Sequence, residues 1–164
     1  MKYFFTTFFF IIFLLLKPHA AFCQNAAPNT TLINALFDAM NKHDSAAIAG
    51  FFDDSAKLES PNWEGQEKGK QGATTVYSRY FKGTPDLHFT VTNIVASNDA
   101  VVVEYTFAGQ FSNPEAGTPD YMRNKVYSIK GSTRYNITNH KIIFAVSYFD
   151  QVSFLRQVGF FDQH

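Results

Sequence analysis

The chain has 164 residues and a formal net charge of zero, with 14 lysines and arginines against 14 aspartates and glutamates. That balance offers no basic patch, which argues against a nucleic-acid partner. The single cysteine is Cys23, so beyond it the chain has neither a disulfide nor a thiolate metal ligand and must be held by its apolar core.

Residues 1–23 read as a secretory signal peptide. Lys2 gives a positive start, residues 4–16 are apolar apart from Thr6 and Thr7, and Lys17-Pro18-His19 closes the run. The run is short for a bilayer span. Ala21 and Cys23 are small enough to flank a signal-peptidase cut, which is placed before Gln24. The competing reading is a lipoprotein signal acylated at Cys23, and the bulk of Phe22 disfavours it. A secreted or periplasmic protein is expected, free of the membrane once the signal is removed. Cleavage removes Lys2 and Lys17 and no acid, leaving 12 bases against 14 acids and a formal charge of −2. The remaining chain, about 140 residues, suits one domain with one core. Residues 24–29 read as a flexible tether and 30–164 as the domain.

Thr30 or Thr31 caps a first helix, in which Leu32, Leu36, Ala39 and Met40 recur at helical spacing. Asp44 or Ser45 caps a short second helix through Phe52. Residues 56–59 form a short strand, 62–72 a loop and 71–81 a third helix, stopped by Gly83 and Pro85. The period then drops to two. Leu87, Phe89 and Val91 share one face of a strand, as do Val101, Val103, Tyr105 and Phe107 on the next. Tyr127, Ile129, Tyr135 and Ile137 follow on a third. Ile142, Phe144, Val146, Tyr148 and Asp150 share a face of the last. A helix over 151–160 closes the chain. Helices followed by hairpin-linked strands describe an α+β domain. Its curved antiparallel β-sheet wraps around the N-terminal helices as a cone-shaped α+β barrel with a hollow.

Several phrases, taken in order, resemble a known family. They are LFDAMNKHD (36–44), Trp63 to Gly65, PDLHFTVTNIVASNDAVVVEYTFAGQF (85–111), Asn139 to Ile142, and YFDQVSFLRQVG (148–159). The ordered set resembles the SnoaL-like branch of the nuclear transport factor 2-like superfamily, which includes polyketide cyclases, and covers nearly the whole chain beyond residue 23. Asn139-His140 stands where the family has Asp-Gly, and Val158 where it has Leu. The resemblance implies cofactor-free, metal-free aldol chemistry, with a carboxylate on the last strand as acid or base. That position is Asp150.

Two readings of Asp150 stay open. It can cap the last helix, or its parity can turn it into an apolar hollow that raises its pKa toward general-base values. Tyr148, two residues away, is the candidate oxyanion donor or a core residue with a wet tip. Trp63, Tyr77, Tyr80, Tyr105, Tyr127 and Phe144 are the candidate ligand-binding residues, and each can instead be packing. The five histidines lack ligand spacing, so no metal site is read. His88 and Arg134 fall on the outer sheet face by parity. The expected function is binding of a small apolar or aromatic organic molecule, without a cofactor, with cyclase or isomerase chemistry at Asp150. The alternative is a non-catalytic ligand-binding or dimerising module. A homodimer is expected through the outer face, where Thr90, Thr92, Glu104, Thr106, Ser128, Lys130 and Ser132 line up. Asn29-Thr30-Thr31 and Asn136-Ile137-Thr138 match the N-glycosylation sequon.

Overall fold

A computed structural model describes residues 26–60 and 66–162. The expected signal peptide and Trp63 lie outside the described residues. Helix α1 (Ala26–Asn41) begins four residues ahead of Thr30, inside the stretch expected as a tether. Pro28 falls in its first turn, where a missing N–H costs nothing. Asn29 anchors that turn: its buried side-chain amide donates to the carbonyls of Ser97 at 3.0 Å and Asn98 at 3.1 Å. The first sequon is therefore engaged in the fold. Ile33, Leu36, Phe37 and Met40 form the buried stripe of α1.

Asp44 caps α2 (Ser45–Gly50), accepting the Ala47 N–H at 2.9 Å. Next come β1 (Phe52–Glu59), β2 (Glu67–Lys68) and α3 (Gly69–Gly83). Gly69 opens α3 at φ +60, and a Cβ there would lie 2.5 Å from the Asp54 carbonyl oxygen, so only glycine fits. The chain continues through β3 (His88–Ala96), β4 (Ala100–Gln110), β5 (Val126–Thr138), β6 (Lys141–Phe149) and α4 (Gln151–Gln157).

The strands form one six-stranded sheet in the order β2-β1-β6-β5-β4-β3. It is curved and unclosed, and its concave face packs on α1 and α3. Strands β3 to β6 pair antiparallel, as hairpins require. The β1–β6 pairing is parallel, which a wholly antiparallel sheet does not include. No turn links those two strands, so no hairpin fixes their relative direction.

The register between β5 and β6 shifts. Asn136 faces Phe144, but Ile137 faces Ile142, which leaves Ile143 as an extra residue. Such a bulge reverses the side-chain alternation. Ile142 points into the core, and beyond the bulge Ala145, Ser147 and Phe149 point inward. Phe144 and Tyr148 are turned outward, against the unbroken parity expected from sequence. A second bulge at Thr92 does the same within β3.

Pairing with β6 ends at Gly131 opposite Phe149, so the start of β5 has an open edge. Gln157 covers it. The Ser128 N–H donates to Gln157 Oε1 at 2.7 Å, and Gln157 Nε2 donates back to the Ser128 carbonyl at 3.1 Å. Val158, fully buried, and Gly159, at φ +80, complete the docking of α4. Gln157→Ala removes both hydrogen bonds and should lower unfolding free energy in urea by about 1–2 kcal/mol, with the m-value unchanged.

Candidate functional site

Between α3, the concave face of β3–β6 and α4 lies a cavity of about 320 Å³. Its walls are largely aromatic. Phe89, Tyr105 and Phe107 stand on β3 and β4, Tyr127 on β5, Phe149 on β6 and Phe154 on α4, with Tyr77 and Tyr80 on α3. The rings meet edge to face: Phe107 with Phe149 at 5.5 Å between centroids, Tyr127 with Phe154 at 5.1 Å. Contacts of this kind hold aromatic walls in place.

One buried part of this lining is polar. Tyr105 Oη lies 2.9 Å from Thr133 Oγ1, and Thr133 Oγ1 lies 2.9 Å from Ser147 Oγ. Tyr135 is hydrogen-bonded to Thr133 and to Tyr77. Five hydroxyls on α3, β4, β5 and β6 thus satisfy one another where no water-facing partner is needed. Gly131 makes room for this: it pairs with Tyr105, and a Cβ there would lie 2.8 Å from the Tyr105 ring. A second buried pair, Thr84 Oγ1 and Tyr127 Oη, is 2.9 Å apart.

Burial raises the pKa of Tyr77, Tyr105, Tyr127 and Tyr135, because a phenolate there would lose its hydration. These phenols remain neutral donors at physiological pH. The charged side chains lining the cavity among the described residues are Glu59 and Glu67, both half-buried, and Arg79 and Glu115, both exposed. Arg79 and Glu115 form a bidentate pair, with Nη2 at 2.9 Å from Oε2. Among the described residues no group of three or more His, Cys, Asp or Glu side chains is arranged to hold a metal ion.

The candidate residues divide. Tyr77, Tyr80, Tyr105 and Tyr127 come together around the cavity. Tyr148 is 54% exposed on the outer face. Phe144 lies on that face too, with the Arg134 guanidinium 5.4 Å from its ring centroid. Asp150 is exposed at the start of α4, accepting the Ser153 N–H at 2.9 Å and the Ser153 hydroxyl at 2.6 Å. Those two bonds lower its pKa, the opposite of the rise expected for a carboxylate in an apolar hollow. The structure therefore corrects its orientation: Asp150 caps the helix and does not line the cavity. Thr133 and Ser147 escaped sequence reading. Thr133 shares parity with Tyr127 and Tyr135 and was visible in principle, whereas Ser147 requires knowledge of the bulge. His88 and the row from Thr90 to Ser132 are turned outward as parity predicts.

The chain belongs to the SnoaL-like domain family, whose model matches residues 33–144. Among solved structures it is similar to a protein assigned as a SnoaL-like polyketide cyclase from Jannaschia sp. CCS1, at 17% identity and a TM-score of 0.73, over 82% of this chain and 94% of that one. A protein assigned as a polyketide cyclase from Xanthomonas campestris pv. campestris gives 20% identity and a TM-score of 0.71, over 82% and 99%. An epoxide hydrolase from M. tuberculosis gives 16% identity and 0.62, over 81% and 90%. These likenesses establish the fold. No curated protein sequence matches the chain.

The buried phenols make an alkaline prediction. Their folded-state pKa lies above the unfolded value of about 10, so the stability they contribute is fully present below pH 10 and is lost as pH rises past it. Absorbance titration at 295 nm should show Tyr77, Tyr105, Tyr127 and Tyr135 ionising late, together with loss of the fold. Early ionisation of all tyrosines in a folded protein would contradict their burial.

Proposed function

We propose that this member of the SnoaL-like family binds one small, largely apolar or aromatic molecule that presents an oxygen acceptor to the Tyr105–Thr133–Ser147 hydroxyls. The observation that supports this most directly is a cluster of five neutral hydroxyls joined by four hydrogen bonds within an aromatic cavity, which leaves one O–H for a ligand. An apolar body displaces water from the walls, at about 25 cal/mol per Å² of apolar surface. An oxygen set against the cluster takes a hydrogen bond from a phenol that stays protonated. Neutral, preorganised donors also stabilise an enolate oxygen, and the family's polyketide cyclases lend weight to a catalytic reading. That reading needs a general base, and Asp150 is engaged in capping α4. The binding role is therefore preferred.

The experiment is a pair of calorimetric titrations with 2-naphthol and naphthalene. Wild-type protein should bind 2-naphthol about fivefold more tightly, the worth of one net hydrogen bond. Tyr105→Phe combined with Thr133→Val should abolish that preference and keep naphthalene binding, while Asp150→Asn should leave both unchanged. Equal affinity of the wild type for the two probes, or loss of binding in Asp150→Asn, would overturn the proposal.

Export and dimerisation belong to the same proposal. The apolar run at 4–16 supports secretion with a cut before Gln24. Val102, Ile143 and Tyr148, exposed on the outer sheet face alongside threonines, serines and the charged Glu104, Lys130 and Arg134, support pairing of two copies there. Native mass spectrometry of the exported protein should give a dimer of chains starting at Gln24. A monomer, or a chain retaining residues 1–23, would refute the corresponding half.

A further inference from the structure

The cavity's lining is unbalanced in charge. Of its four charged lining residues among the described residues, Arg79 and Glu115 neutralise each other across a bidentate pair. Glu59, at the end of β1, and Glu67, on β2, make no ion pair, since among the described residues the only ion pairs of lysine or arginine are Lys70–Asp54 and Arg79–Glu115; Glu67 feels Arg79 at longer range, and the four charges still sum to −2. Glu59 Oε1 accepts a hydrogen bond from the neutral Gln66 amide, which leaves its charge intact. The sequence between Glu59 and Glu67 contains no basic residue. Lys57 and Lys68 face each other in the β1–β2 pairing, and neither lines the cavity. Lys82 lines a neighbouring surface groove with Arg79 and Glu115, outside the cavity. Two carboxylates thus line a cavity whose walls are largely aromatic.

An aromatic wall attracts a cation through the ring quadrupole, and an unpaired carboxylate at the same opening adds to that attraction. A carboxylate ligand would meet the reverse. At Arg79 it would compete with Glu115, which already holds Nε and Nη2, and it would meet the charge of Glu67 nearby. From this arrangement we infer that the cavity selects organic cations: molecules with an apolar or aromatic body for the interior and an ammonium group left at the Glu59–Glu67 side. The inference rests on the cavity being a small-molecule site and names the charge class that it takes.

The test uses three probes with one aromatic body: 2-naphthylmethylammonium, 2-naphthylmethanol and 2-naphthoate, titrated at neutral pH into the chain from Gln24. The ammonium should bind about fivefold more tightly than the alcohol, and the carboxylate more weakly than the alcohol by a similar factor, as two partly exposed charges allow. Raising the salt concentration to 1 M should shrink the spread. Glu59→Gln with Glu67→Gln should bring the three affinities together and leave the alcohol's unchanged. If the alcohol binds and the ammonium binds no better than the carboxylate, the charge inference falls while the binding site stands. If none of the three binds, the small-molecule reading falls and the inference with it.

Discussion

The inner surface that β6 offers to the cavity depends on one extra residue in that strand. Strand side chains alternate between faces with period two, so a single insertion sends every later residue to the other side of the sheet. The bulge at Ile143 is that insertion. It brings Ser147 under Thr133 and Phe149 against Phe107. It also turns Tyr148 outward and leaves Asp150 at the helix boundary, exposed. Without the bulge, the carboxylate would face the cavity and the serine would face solvent. The chemistry of the pocket is therefore set by strand register as much as by residue type.

The cavity that results is an apolar enclosure with polarity confined to two places. Its interior polarity is neutral, built from hydroxyls that hydrogen-bond to one another, so their burial avoids the penalty of an unmet polar group. Its charge lies on half-buried and exposed side chains, where water still screens it. On the proposed reading binding and orientation are divided: apolar area would hold a ligand, phenols and hydroxyls would fix an oxygen, and the carboxylates would sort by charge. The close approach of Tyr105 to Gly131 ties this arrangement to the backbone of β5.

The terminal phrase 148–159 is explained by architecture. Asp150 caps α4, Gln157 closes the open edge of β5, Val158 fills the core, and Gly159 takes the positive φ that ends the helix. Each residue has a local task in docking one helix over the mouth of a curved sheet. That docking places Phe154 in the cavity wall against Tyr127. The phrase contributes to the site by closing it.

Much of the fold was legible in the sequence. Helical spacing marked Leu36, Ala39 and Met40, and period-two patterns marked Val101, Val103, Tyr105, Tyr127, Ile129 and Tyr135, because these signals are local and their burial repeats along the chain. They determined the α+β class, the order of elements and four of the aromatic wall residues. Only the tertiary structure decided the parallel β1–β6 pairing, since no turn joins those strands, and the start of α1 at Ala26, which Asn29 secures by bonding to a turn some seventy residues away. It alone decided the fate of Asp150. The residue type suited both a cap and a base, and the choice lay in a register shift against β5, a long-range pairing that no pattern within β6 itself records.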